Sequence, residues 1–221
     1  MPPRLIDLSH DIVHGMTTYP GLPGPVISDH LSYEASHASY APGTEFQIGR
    51  IEMVANTGTY LDTPAHRYRG AGDLADLRLE SVADLPGVLV DTTRPASDAE
   101  PFAGPQVAGC AVLVRTGWSR HWGTDEYGSP HHPFLTEATA QRLVEAGVAL
   151  VGIDSVNIDD TSTSAGGRRP VHSRLLAAGI PIVEHLRGLE DLSGVAFRFF
   201  AVPVKVRGMG TFPVRAFAII G

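Results

Sequence analysis

The sequence predicts a single α/β domain over residues 1–221, with a mixed β-sheet and flanking helices. At 221 residues, the chain is long enough to bury a sizeable core. Short apolar runs recur along it, whereas only two segments carry clear signals of longer helices. In the second half of the chain, strand, helix and strand follow one another twice. This order indicates parallel, right-handed crossovers.

The predicted strands are short and strongly apolar. Continuous apolar runs of this length are typical of strands that are covered on both faces. An earlier run, 46–55, changes its alternation of apolar residues at Gly49-Arg50, which predicts a β-bulge there. The remaining predicted strands lie at 88–90, 111–114, 148–153, 182–183 and 217–220.

Two helices have recognisable ends. Thr136 can cap a helix that runs to about Ala146, with Gly147 as the stop. A second helix begins near Pro170, a favourable first position, and ends at Gly179. The predicted surface loop 159–169 is rich in Ser, Thr and Gly and follows a strand end, so it is a candidate active-site lid. Surface loops are predicted at 20–25, 95–105 and 159–169.

Composition narrows the classes of partner. The chain carries 17 basic and 24 acidic residues, a net charge of -7, and no basic run with interleaved aromatics. We therefore expect no nucleic-acid partner, because phosphate contacts need a concentrated basic surface. No apolar run reaches membrane-span length and no signal peptide is visible, which predicts a cytoplasmic protein without a membrane partner. The single cysteine, Cys110, excludes an internal disulfide.

Asp62 and His66 are candidate metal ligands. Thr63 can cap a helix whose first position is Pro64, which places His66 one turn into it. Asp62 then lies just outside the helix start, so carboxylate and imidazole can converge on one point. Such a pair suits Zn²⁺, Mn²⁺ or Fe²⁺. The alternative is an Asp that caps the helix and a His that hydrogen-bonds to it.

A second polar pair lies downstream. His172 shares a helical face with Leu175 and Leu176, and that face packs inward. Glu184 closes the apolar run 180–183, where an unpaired carboxylate is expensive to bury. A divalent cation would satisfy both residues. A private hydrogen bond between His172 and Glu184 is the alternative.

The segment 56–66 reads Asn-Thr-Gly-Thr-Tyr-Leu-Asp-Thr-Pro-Ala-His. It resembles the H-x-G-T-H-x-D-x-P-x-H signature of the cyclase family, whose best-known members are metal-dependent kynurenine formamidases. Asn56 and Tyr60 replace the first two signature histidines. His172 and Glu184 resemble the downstream ligands of the family in type and in their twelve-residue separation. Further similar stretches lie at 5–10, 15–16, 19–21, 115–118, 122–123 and 152–154.

The resemblance implies a swivelling β/β/α-type fold, a small-molecule substrate and association into dimers or tetramers. It also implies one divalent ion, Zn²⁺ or Mn²⁺, because Asn56 and Tyr60 remove the ligands of a second site. The ligands that it implies for the remaining site are Asp62, His66, His172 and Glu184. The alternative is that metal binding has been lost, which leaves a hydrogen-bonded cluster of acids and imidazoles.

With a metal, the implied reaction is hydrolysis of a small amide, N-formyl or cyclic amide or ester substrate. Glu184 is the predicted proton acceptor. Tyr60 can donate a hydrogen bond to an oxyanion, and Asn56 can orient the substrate or Tyr60; the alternative is that both only fill space. Tyr19 and Trp118 are candidates for an aromatic substrate wall, although core packing is the commoner fate of such residues.

The same residues are also compatible with two other functions of the protein. A metal-free lyase or cyclase would use Tyr60 and His66, with His172 and the carboxylates, as acid and base. A catalytically inactive protein that binds a small metabolite is the third possibility. The pair Arg168-Arg169 can hold a substrate carboxylate, or it can be a solvated surface pair.

Overall fold

A nine-stranded mixed sheet organises the computed structural model, which describes residues 3–93 and 107–221. Its strand order is β1-β11-β9-β5-β6-β7-β8-β4-β10, and β2 pairs with β3 in a separate ribbon. The strands are β1 (Arg4–Asp7), β2 (Val26–Leu31), β3 (Ile48–Glu52), β4 (Tyr60–Asp62), β5 (Leu85–Asp91), β6 (Ala111–Arg115), β7 (Leu150–Ile153), β8 (Ile182–Glu184), β9 (Phe197–Phe200), β10 (Thr211–Pro213) and β11 (Phe217–Ile220).

The helices are few and short. The longer two, α3 and α4, have the ends that the sequence predicts: Thr136 accepts a hydrogen bond from the Thr139 N–H, and Pro170 opens α4. The α-helices are α1 (Tyr33–Ser36), α2 (Pro64–Arg67), α3 (Glu137–Glu145) and α4 (Pro170–Ala177). Short 3-10 helices lie at Leu79–Ser81, Trp118–His121, Thr163–Ala165 and Leu189–Leu192. Within the described ranges, every helix is too short or too polar to span a bilayer.

The centre of the sheet is parallel and its flanks are antiparallel. Strands β5, β6, β7 and β8 run parallel, whereas β9 pairs antiparallel with β5 and β4 pairs antiparallel with β8. The predicted mixed sheet and parallel crossovers are therefore confirmed. Each face carries its own apolar core: α3 and α4 pack on one face through Leu143 and Leu175, and Leu113 and Phe199 belong to the core on the other.

Several predicted boundaries need correction. Strand β3 is shorter than the predicted run 46–55, and the irregularity lies in its partner strand. The register shifts between Asp29 and Leu31 of β2, opposite Gly49 and Ile48, so the bulge is not at Gly49-Arg50. The predicted strand 148–153 begins only at Leu150. The predicted loop 95–105 falls outside the described residues.

The start of helix α2 is stabilised by hydrogen bonds to the backbone of a distant segment rather than by a side-chain N-cap. Thr63 occupies the N-cap position, but its side chain makes no capping hydrogen bond. Both its backbone N–H and its hydroxyl donate to the carbonyl oxygen of Gly210, at 2.7 and 3.0 Å. A Cβ at Gly210 would lie 2.3 Å from the backbone nitrogen of His66. Glycine therefore lets the chain before β10 approach α2 closely.

Replacing Gly210 by Ala is expected to lower the free energy of unfolding by about 1–3 kcal/mol, because the added methyl group meets backbone that cannot yield. Gly49→Ala is the matched control, since nothing lies within 4 Å of a Cβ there. It should change stability by less than about 0.5 kcal/mol. Urea unfolding of both variants is the measurement, and equal losses would contradict the close-approach explanation.

Candidate metal centre and substrate cavity

Two neighbouring strands and two short helices bring the candidate residues together. Strand β4 carries Tyr60 and Asp62, and it pairs with β8 so that Tyr60 lies directly opposite Glu184. Side chains of such a cross-strand pair point to the same face of a sheet. Helix α2 continues from β4 and supplies His66, while α4 lies against α2 and supplies His172.

Three of the four predicted ligands converge. Donor atoms of Asp62, His66 and His172 all lie within 4.8 Å of one another. Asp62 Oδ1 is 3.6 Å from His66 Nδ1, and Asp62 Oδ2 is 3.7 Å from His172 Nε2. These separations are too long for hydrogen bonds. The separation between Asp62 Oδ2 and His172 Nε2 is close to the spacing of roughly 3.3–3.6 Å between ligands that surround a tetrahedral ion at about 2.0–2.2 Å.

Asp62 also has an unused ligand atom. The residue is fully buried, and its Oδ2 has no hydrogen-bond partner within the described part of the chain. A buried carboxylate oxygen without a partner is expensive, and a cation is one way to satisfy it. The donor set of one carboxylate and two imidazoles therefore fits a divalent metal.

Glu184, the fourth predicted ligand, accepts hydrogen bonds through both of its carboxylate oxygens. Its Oε1 lies 3.7 Å from His172 Nε2, but it also accepts the Ile158 N–H at 2.6 Å. Its Oε2 accepts the Tyr60 hydroxyl at 2.7 Å. Glu184 is absent from the group whose donor atoms lie within 4.8 Å of one another. It adjoins the converging triad, and its role as a ligand stays a prediction.

Asp159 orients His172 and was missed in the sequence, where it begins a predicted surface loop. It is fully buried. Its Oδ2 lies 2.7 Å from His172 Nδ1, and the carboxylate also accepts the backbone N–H groups of Val171 and His172 at 2.7 and 2.9 Å. Because a carboxylate only accepts, Nδ1 carries the proton and Nε2 faces Asp62 and Glu184. The apolar residues at 156 and 158 were the available signal of burial.

Thr211 is a second residue that the sequence did not reveal. It lies opposite Asp62 in the β10–β4 pair, and its hydroxyl donates to Asp62 Oδ1. The same oxygen is 2.8 Å from His66 Nδ1. Since the hydroxyl proton goes to Asp62, His66 Nδ1 donates to Thr211 and Nε2 keeps the lone pair of the neutral ring.

Buried carboxylates dominate the electrostatics. Burial opposes the charge of His172, but Glu184, Asp159 and Asp62 together raise the pKa of this imidazole. Burial also raises the pKa of Glu184, against the opposing effect of His172. The pKa of Tyr60 is raised by burial and by the charges of Glu184 and Asp62, so the phenol keeps its proton. The site is thus rich in acidic groups and suited to a cation.

A cavity of about 310 Å³ opens beside these groups. Asn56 lines it together with Tyr60, whose pKa the Asn56 side chain lowers slightly against the larger raising effects; the orienting role of Asn56 stays a prediction. Among the described residues, Trp118 does not line this cavity; it is buried against Tyr127 and Val156, and its predicted role in substrate binding stays untested. The lining consists of Tyr19, Leu22, Asn56, Tyr60, His66, Arg67, Asn157, Arg169, His172 and Glu184.

Asp159→Asn is expected to lower the free energy of unfolding by about 2–3 kcal/mol, because an amide cannot accept all three hydrogen bonds of the buried carboxylate. Asp160→Asn is the neighbouring control. That side chain accepts the Ser162 N–H outside the core, so its replacement should leave unfolding close to that of the parent. Denaturant unfolding of both variants checks this, and equal effects would remove the special role of Asp159.

The chain is similar to several known proteins. A kynurenine formamidase of Salinibacter ruber is 27% identical over 215 residues, which cover 96% of this chain and 95% of that protein. A structure described as a potential metal-dependent hydrolase with cyclase activity has a TM-score of 0.76 and 25% identity, with 98% of each chain covered. Isatin hydrolase A from Labrenzia aggregata shares the fold, with a TM-score of 0.81 and 22% identity over 99% of this chain and 94% of that one. Residues 6–160 match the family model described as "Putative cyclase", and the chain therefore belongs to this cyclase family.

Proposed function

We propose that this protein hydrolyses a small amide, N-formyl or cyclic amide or ester substrate, with a single divalent metal held by Asp62, His66 and His172. The observation that carries the proposal is the approach of Asp62 Oδ2, which has no hydrogen-bond partner among the described residues, to His172 Nε2 at 3.7 Å beside the cavity. The kynurenine formamidases among the relatives support the reaction class.

The donor set narrows the choice of metal. One carboxylate and two imidazoles suit Zn²⁺ or Mn²⁺, and three protein ligands leave positions open, as catalytic sites require. When bound, such an ion supplies Lewis-acid polarisation of a carbonyl and lowers the pKa of water. Asp159 and Thr211 would hold the two imidazoles in the orientation that presents Nε2.

Glu184 is the proposed proton carrier. It lines the cavity, and hydrogen bonds from Tyr60 and the Ile158 N–H fix both of its oxygens. A carboxylate so placed can take a proton from the attacking water and deliver it to the departing nitrogen. Its 3.7 Å separation from His172 Nε2 keeps it next to the proposed metal position.

Tyr60 is assigned to positioning Glu184. Its single hydroxyl proton is already donated to Glu184, so none remains for an oxyanion in this arrangement. Asn157 is the better candidate for holding the carbonyl oxygen. Its Oδ1 accepts the Asp159 N–H at 2.9 Å, which leaves the amide N–H groups as the donors available to the cavity.

Two further predictions concern the setting of the enzyme. We expect the protein to form dimers or tetramers. The β2–β3 ribbon supports this expectation, because four of its apolar residues are each between 43% and 49% exposed to solvent: Val26, Ile27, Ile48 and Ile51. An isolated two-stranded ribbon is marginally stable in water, so a covering surface would stabilise it. Location in the cytoplasm stays a prediction from the sequence.

Metal content and turnover test the proposal together. Protein purified without chelator should contain about one equivalent of Zn or Mn and hydrolyse at least one member of a formyl-amide, lactam and ester panel. In His172→Ala, the metal should be lost and turnover should fall by more than about 100-fold. His131→Ala is the control, because His131 is exposed and outside the cavity.

Other outcomes would favour the alternative functions. Turnover that survives EDTA in metal-free protein would favour a lyase or cyclase that works by acid and base alone. No turnover on the panel, together with thermal stabilisation by a small metabolite, would favour a binding protein. Either result contradicts the proposed hydrolase.

Tyr60→Phe separates positioning from space filling. We expect kcat to fall roughly 10- to 100-fold, because Glu184 loses a charge-assisted hydrogen bond, while metal content stays unchanged. Tyr33→Phe is the matched control, since Tyr33 is 52% exposed in α1. Steady-state kinetics on the best substrate of the panel gives the answer. Full activity of the Tyr60 variant would assign that ring to packing alone.

A further inference from the structure

Two arginines line the cavity, and neither forms an ion pair with an acidic side chain of the described residues. Arg67 and Arg169 both contribute to its wall, and neither has a carboxylate oxygen within 4.0 Å in the described ranges. Asp160 is attracted electrostatically to Arg169, but the described residues show no ion pair between them within 4.0 Å. Elsewhere, exposed arginines such as Arg174 and Arg215 pair directly with carboxylates. The cavity arginines therefore leave positive charge at its wall.

A serine links the Arg67 side chain to the backbone of Arg169. Arg67 Nε donates to Ser173 Oγ at 3.2 Å, and Ser173 Oγ donates in turn to the Arg169 carbonyl oxygen at 2.7 Å. The Tyr68 hydroxyl donates to the Ser173 carbonyl oxygen at 2.8 Å. These contacts join α2 to the start of α4. The arginines thus sit on elements whose relative position is set before any substrate arrives.

Both guanidinium groups keep donors for a ligand. The contact of Arg67 uses Nε, which leaves its two terminal amino groups. The contacts of Arg169 use Nη1, which donates to the carbonyl oxygens of Asp160 and Arg168 at 3.0 and 2.8 Å. Its Nε and Nη2 are not engaged in these bonds. Planar guanidinium donors of this kind match the geometry of a carboxylate.

The positions of the two arginines relative to the other residues of the cavity wall indicate where a bound anion would lie. Arg67 directly follows His66, and Arg169 lies three residues before His172, so the positive charges adjoin the reactive end of the cavity. Tyr19 supplies an aromatic surface on the same cavity. The chain as a whole is acidic, with a net charge of -7. Two guanidinium groups without an ion-pair partner among the described residues therefore give this part of the cavity wall a positive charge that the rest of the protein does not share.

We propose that Arg67 and Arg169 are specificity-determining residues, which together bind a carboxylate of the substrate while its scissile amide lies beside Glu184. The proposal rests on the hydrolase function proposed above and adds the residues that select an anionic substrate. It also corrects the sequence-based pairing of Arg168 with Arg169. Arg168 is exposed and does not line the cavity, and Arg67 from a distant segment takes its place.

A matched pair of substrates tests the proposal. N-formylanthranilate carries a carboxylate, whereas N-formylaniline is its neutral counterpart. In Arg67→Gln and in Arg169→Gln, the KM for N-formylanthranilate should rise roughly 10- to 100-fold, because one charge-assisted contact is lost. The KM for N-formylaniline and the kcat for both compounds should stay close to the parent values. Arg168→Gln is the control and should behave as the parent.

Calorimetry on the parent protein gives a readout that does not need turnover. The protein should bind 2-aminobenzoate more tightly than aniline, and both glutamine variants should lose this preference. Inorganic phosphate, as a second anion, should bind more weakly than 2-aminobenzoate. Equally tight phosphate binding would overturn the assignment of a carboxylate.

The two proposals fail in different ways. If the parent hydrolyses no member of the formyl-amide, lactam and ester panel but still prefers 2-aminobenzoate through Arg67 and Arg169, the hydrolase proposal fails and the anion site stands. If both compounds are hydrolysed equally well and the glutamine variants keep the parent KM, the hydrolase stands and the carboxylate site is wrong. Binding of 2-aminobenzoate that is unchanged in both variants would likewise overturn it.

Discussion

Burial of three carboxyl groups beside one imidazole is the constraint on which the site depends. Asp62, Asp159 and Glu184 are each at most 1% exposed, and all three surround His172. Buried charge is costly unless it is paired. Asp159 and Glu184 obtain backbone and side-chain donors, whereas Asp62 Oδ2 obtains none among the described residues. The surplus of negative charge makes a divalent cation the natural partner of this arrangement.

The two substituted signature positions have a consistent physical role. Tyr60 donates to Glu184 across the β4–β8 pair, and Asn56 lines the same cavity and lowers the pKa of the Tyr60 phenol slightly. A phenol in place of an imidazole donates a hydrogen bond to the Glu184 carboxylate and is only a weak metal ligand. This exchange ties Glu184 to hydrogen bonding and leaves Asp62, His66 and His172 as the converging group. One of the two residues that depart from the family signature, Tyr60, is thus the side chain that holds Glu184 Oε2.

Features with local causes were predictable from the sequence, and features that depend on distant pairing were not. The ends of α3 and α4 follow from Thr136 and Pro170, whose preferences act within one turn. The contribution of Thr211 depends on the pairing of β10 with β4, and that of Gly210 on close approach to α2. Neither leaves a local pattern. Asp159 was predicted at the surface because its buried partners, Val171 and His172, lie 12 and 13 residues away.

Anomalous diffraction from crystals of protein purified without chelator, with data collected at the zinc and manganese absorption edges, tests the central claim most directly. The account predicts a single peak bounded by the side chains of Asp62, His66 and His172, with the Asp62 Oδ2 atom among the nearest oxygens. A metal-replete crystal without a peak at this position, or with the ion held by other side chains, would contradict it.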